Sequence, residues 1–179
     1  MIRMLAIAVA FLLAAAAPAV AGGVGDLDDA NGFRDARFGA RVETLGGLEL
    51  LSEHGAHGTQ VYLRPSDELR LGDAVLDGVT YGFYQEELYF VAIFTSGRKN
   101  ARATLAQLQK AYGPGTRVAG DAAEYVWRGK KVTLHFREDP VTAMGMVGLT
   151  SLKLDARVKA DRSSVPAQVA PGQRGAGRP

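Results

Sequence analysis

The chain has 179 residues, 47% of them hydrophobic and 22% charged, which is enough apolar content for one domain with a single core. It contains no cysteine, which excludes a disulfide framework, a thiolate nucleophile, a Cys-ligated zinc and a lipid anchor on a processed cysteine. Its 21 Lys and Arg outnumber 19 Asp and Glu only because residues 157–179 carry five bases against Asp161 alone; residues 22–156 hold 15 bases against 18 acids, the wrong sign for a nucleic-acid partner.

Residues 1–21 read as a secretory signal. Arg3 precedes an apolar run over 5–17, Pro18 breaks it, and Ala19-Val20-Ala21 forms a small-x-small motif with cleavage expected after Ala21. A run of about thirteen residues falls short of the roughly twenty a spanning helix needs, so no transmembrane segment is expected. The implied address is the periplasm or beyond it. Residues 22–32, GGVGDLDDANG, read as a flexible lead-in. Their acids do not keep the register of a calcium loop, because placing Asn31-Gly32 at its fifth and sixth positions puts Leu27 at the first.

The folded domain is expected over 33–155. A short strand is assigned to 33–38, a short helix to 40–45 and a loop to 52–58. A strand over 59–64 stops at Pro65, and a weaker strand follows over 69–76. Residues 76–95 read as a hairpin dense in aromatics. A two-residue turn at Gln85-Glu86 would place Val79, Tyr81 and Phe83 on one face with Leu88, Phe90, Ala92 and Phe94; a three-residue turn would exchange the second strand's faces. Either way Gly78 and Gly82 lie opposite large side chains, a recurrent arrangement of an aromatic over a strand glycine.

A helix beginning at about residue 99 or 101 and ending at 112 carries Ala101, Leu105, Leu108 and Tyr112 on one stripe. Asn100 or Ser96 is the expected cap, and Gly113-Pro114 the stop. In the next hairpin a turn at Arg128-Gly129 would pair Trp127 with Lys130. Tyr125, Trp127, Val132, Leu134 and Phe136 then share an apolar face, with His135 on the polar one. A last strand is assigned to 146–154. Strands, a helix and more strands imply an α+β fold: a mainly antiparallel sheet built from hairpins, with one main helix packed across one face. Residues 156–179 are rich in Pro, Gly, Ala and Gln and read as a disordered basic tail, at most a contact for an anionic surface.

Signals for chemistry are sparse. The histidines are His54, His57 and His135. Glu53, His54 and His57 are the candidates for a metal site, but two glycines flank them and a closed zinc site wants a fourth ligand, so a polar loop is the expectation. There is no G-x-S-x-G, H-E-x-x-H, P-loop or dinucleotide fingerprint, and no acid is placed where burial would tune it for acid–base work. No cofactor and no catalytic residue is assigned. The aromatic hairpin is read as central core, with its other face partly covered by the N-terminal segment. If it also binds a ligand or partner, Gly78, Gly82 and Tyr89 mark the face.

Several segments together resemble a group of uncharacterised exported bacterial proteins. They are F-R-D-A-R-F-G at 33–39, Y-G-F-Y at 81–84 followed by L-Y-x-V-x-I-F at 88–94, G-R-x-N at 97–100, L-x-x-L-x-x-x-Y-G-P at 105–114 and Y-V-W-R-G at 125–129. This chain carries Asp35-Ala36, Phe38 and Glu86 where that group has Gly-Ile, Trp and a turn Gly or Asn. The resemblance implies a shared fold and an exported address without an assigned activity. Function is thus expected to be that of a non-catalytic binding or envelope-maintenance domain engaging an envelope protein or small ligand. The alternatives are a protein-contact module of the outer-membrane assembly type and an enzyme with an unrecognised site.

Overall fold

A computed structural model describes residues 22–120 and 123–164. The leader, the cleavage point at Ala21 and the tail from 165 onward lie outside the described residues. The fold is α+β. An eight-stranded antiparallel sheet has the order β3-β4-β7-β8-β12-β11-β10-β9, formed by Glu49–Ser52, Gln60–Leu63, Gly78–Tyr84, Glu87–Thr95, Gly145–Ser151, Val132–Glu138, Ala123–Arg128 and Thr116–Arg117 respectively. Two small hairpins stand apart from it, β1 (Gly32–Phe33) with β2 (Ala36–Arg37) and β5 (Arg70–Leu71) with β6 (Ala74–Val75). Thus the strands expected over 33–38 and 69–76 each fold back on themselves, the first at Arg34 with φ of 56° and the second at Gly72 with φ of 58°.

Helix α2 (Arg98–Tyr112) lies across the core face, with Ala101, Thr104 and Leu108 buried against β8, β11 and β12. Its stripe is the expected one, but its cap is not: Gly97 occupies the N-cap with no side-chain hydrogen bond, while Asn100 donates to the Ser96 carbonyl at 3.1 Å. Trp127 ties down the other end, its Nε1–H donating to the Gly113 carbonyl at 2.8 Å. The core beneath is formed by Tyr81, Phe83, Val91, Ile93, Trp127, Leu134, Phe136, Val147 and Leu149.

The lead-in is a helix rather than a flexible stretch. In α1 (Val24–Ala30), Leu27 is fully buried in the same core, and Asp28 reaches the distant β10–β11 turn. There its carboxylate accepts from the backbone N–H groups of Lys130, Lys131 and Val132 at 2.6, 2.7 and 3.1 Å. This long-range cap explains a second correction. The turn is centred on Lys130-Lys131, with Trp127 opposite Leu134 rather than Lys130. A shift of two residues at the turn preserves which side chains share a face, so the apolar side of the hairpin is the expected one.

The C-terminal end departs most. The last strand stops at Ser151, and α3 (Leu152–Ser164) follows, occupying residues expected to be strand and disordered tail. It covers part of the second face of the sheet, a role expected of the N-terminal segment, which instead packs with α2 on the core face.

Candidate functional site

The register of β7 and β8 decides what the second face presents. Gln85 and Glu86 form a two-residue turn, both with positive φ (49° and 67°) as a primed hairpin turn requires. Beyond it Phe83 pairs with Leu88 but Gly82 pairs with Phe90, so Tyr89 is the extra residue of a β-bulge. The bulge exchanges the faces of β8. Leu88, Val91 and Ile93 point into the core, whereas Phe90, Ala92 and Phe94 lie over Gly82, Thr80 and Gly78 on the second face. The turn belongs to one expected register and the face assignment to the other.

Along β8 this second face divides into two halves. At the turn end a Cβ on Gly82 would lie 1.9 Å from Phe90 Cε1, so the aromatic ring occupies the space that glycine leaves. Tyr89 is only 5% exposed and packs with Phe90, Tyr84, Leu154 and Val158 under α3. Its hydroxyl donates to Asp155 at 2.9 Å; burial and then this carboxylate push the phenol pKa up. Tyr89 is therefore a core residue of the α3 contact, not an open ligand surface.

Polar pairs complete the docking of α3. Tyr84 donates to Asp161 at 2.6 Å, Arg157 bridges Glu87 and Gln85, and Lys159 pairs with Asp155 at 2.5 Å. Arg162 meets His57 Nδ1 at 2.7 Å. Three of the five bases counted to the tail are thus engaged within the fold.

The other half is open. Around Gly78 and Gly148 an added Cβ would meet no atom within 4 Å. Cross-strand pairing places Gly78, Phe94, Met146 and Arg137 in one row and Leu63, Thr80, Ala92, Gly148 and His135 in the next. Phe94, Met144, Met146 and Arg137 line a shallow recess of about 340 Å³, and Met144, Met146 and Val141 are among the exposed large hydrophobics. Of the three glycine-face residues singled out by sequence, Gly78 belongs to this open half, while Gly82 and Tyr89 belong to the covered one. Phe94, Met144 and Met146 were not singled out. Met144 and Met146 are the only methionines after Met4; strand alternation places Met146 on this face, whereas Met144 precedes β12 and joins it only through the loop.

Glu53 and His54 are exposed in the β3–β4 connection, and His57 is turned toward Arg162. Among the described residues no group of three His, Cys, Asp or Glu side chains could hold a metal ion. A denser polar cluster surrounds Tyr81. Its hydroxyl donates to Asp67 at 2.6 Å, and Arg64 holds both Asp35 oxygens at 2.9 Å and lies over the Tyr81 ring at 5.3 Å. Burial, then Asp67, push the Tyr81 phenol up, and Arg64 holds the Asp35 carboxyl down. Tyr81 has no exposed surface, and its bond to Asp67 secures the 64–70 loop to the core.

No family model matches the chain, and no curated protein matches it. Among solved structures it is similar to the crystal structure of a DUF4309 family protein (YjgB) from Bacillus subtilis subsp. subtilis str. 168, at 19% identity. The match covers 57% of this chain and 71% of that one with a TM-score of 0.36, an overlap that assigns no activity.

Proposed function

We propose that the chain is an exported, non-catalytic binding domain of the cell envelope, and that the open half of its second sheet face docks an apolar segment of a partner protein. The observation that carries this is the uncovered apolar centre of Ala92, Phe94, Met146 and Gly148, rimmed by Thr80, His135, Arg137 and Glu124. An apolar centre with a polar rim is the anatomy of a protein contact. The surface is shallow, which suits a protein better than a small solute that must be largely enclosed. Flexible thioethers at its centre adapt to a partner's side chains.

Export is supported by the leader-like sequence over 1–21 and by the resemblance to exported proteins. No helix among the described residues is long and apolar enough to cross a membrane. The assembly-module alternative uses the same kind of contact and differs only in the partner. A photo-crosslinking residue at Ala92, in cells, tests the proposal. One discrete adduct that disappears on Met146→Asp is expected, alongside Lys99, a solvent-facing α2 position, which gives none. An adduct insensitive to Met146→Asp and Phe94→Ser, or no adduct at all, rejects the proposal.

A further inference from the structure

Most charged groups around α3 are paired with one another, but among the described residues three ammoniums at its start make no salt bridge. At the end of the sheet where the β10–β11 turn meets the start of α3, Lys130, Lys131 and Lys153 line a cleft of about 490 Å³. Phe38, Leu152 and Leu154 give the same cleft an apolar wall. The nearby acids are already engaged. Both oxygens of Asp28 accept backbone N–H groups of the turn, and Glu87 is held by Arg157. Glu87 also lines the cleft and the Asp28 carboxylate attracts Lys131, but with Arg157 on Glu87 the positive groups remain in excess, and that excess attracts an anion. The site is local, since residues 22–156 are net acidic.

We infer that this cleft binds a small phosphate monoester, with the three ammoniums on the phosphate and the Phe38–Leu152 wall against its organic part. A monoester carries about −1.5 to −2 charges at pH 7, matched better to three ammoniums than a monocarboxylate is. Lysine serves phosphate as a point charge without demanding the planar fork geometry of arginine. A volume of this size holds a phosphate together with a small organic group. The same headgroup chemistry is available from a free phosphorylated metabolite or from phosphatidic acid at a membrane surface.

Calorimetric titration of the purified chain with glycerol 3-phosphate, inorganic phosphate, acetate and glycerol tests the inference. Saturable binding of glycerol 3-phosphate is expected. It should weaken at least about tenfold, or roughly 1.4 kcal/mol, in Lys131→Ala/Lys153→Ala, and fall steadily as salt screens the charges. Thermal melts of the variant should match the parent, because both side chains are exposed. Cosedimentation with vesicles containing phosphatidic acid separates the sources: lysine-dependent pelleting identifies the lipid headgroup, and its absence with intact glycerol 3-phosphate binding identifies a soluble ester. No saturable heat, equal affinity in the folded double variant, or acetate binding as tightly as the ester would overturn the assignment.

Discussion

Helix α2 buries Ala101, Thr104 and Leu108 on one face of the sheet and is pinned at its end by Trp127, whereas α3 reaches the other face with only Leu154 and Val158 buried. The second helix depends instead on specific polar partners: Asp155 with Tyr89 and Lys159, Asp161 with Tyr84, and Arg157 with Glu87. Burial of apolar area is non-directional and insensitive to pH, while a carboxylate hydrogen bond depends on protonation and geometry. The two faces therefore have different strengths and different sensitivities. One is permanent core, and the other is a clasp beside an open surface.

The largest expected effect tests the permanence of the first face. Trp127→Ala removes a 1%-exposed indole from beneath α2 and should cost about 4 kcal/mol in urea unfolding. A cost below about 1 kcal/mol would mean that the core face is not the stability centre. Leu154→Ala should cost less, about 2–3 kcal/mol, and act differently. Amide exchange should rise throughout α3 while β8, β11 and β12 keep their protection. Uniform loss of protection would show that the clasp and core are one cooperative unit.

The two halves of the second face can be compared with glycine substitutions. Gly82→Ala drives a methyl into Phe90 and should lower stability by about 2 kcal/mol, whereas Gly78→Ala meets open space and should stay within about 0.5 kcal/mol. Equal melting temperatures for the pair would remove the distinction between covered and open halves.

The smallest effect expected is on acid dependence. Burial raises the Asp155 pKa, but Lys159 and then Tyr89 outweigh it and hold the carboxyl below its ordinary value. A depressed folded pKa means that this contribution is complete above the unfolded value of about 3.9 and is lost as pH falls through the lower folded value. Methyl resonances of Leu154 and Val158 should shift toward unpacked values below about pH 4 before those of Leu134 and Val147 do. Asp155→Asn should abolish that difference; its persistence in the variant would assign it to another group.

Much of the architecture is legible in the sequence. The α2 stripe, its stop at Gly113-Pro114 and the shared apolar face of Tyr125, Trp127, Val132, Leu134 and Phe136 follow from periods of 3.6 and 2 within one segment. Helix α3 was not legible, because two buried residues four apart do not make a recognisable stripe among Lys, Asp and Arg. Helix α1 shows one buried side chain, Leu27, and its acids resemble a solvated loop. The candidate site was half legible. Strand alternation marks Gly78, but it groups Tyr89 with it, and the bulge and α3 together take Tyr89 away.

What the sequence determined by itself was the set of local periodicities: the α+β class, the main helix, the positions of the two long hairpins and the pairing of aromatics with strand glycines. Only the tertiary structure decided the register of the hairpins, because Asp28 moves one turn from 102 residues away and the Tyr89 bulge is settled by what packs on each side. It alone decided which half of the second face is open. A strand's two faces are set by its own alternation, but what covers them is a contact between segments that no local pattern contains.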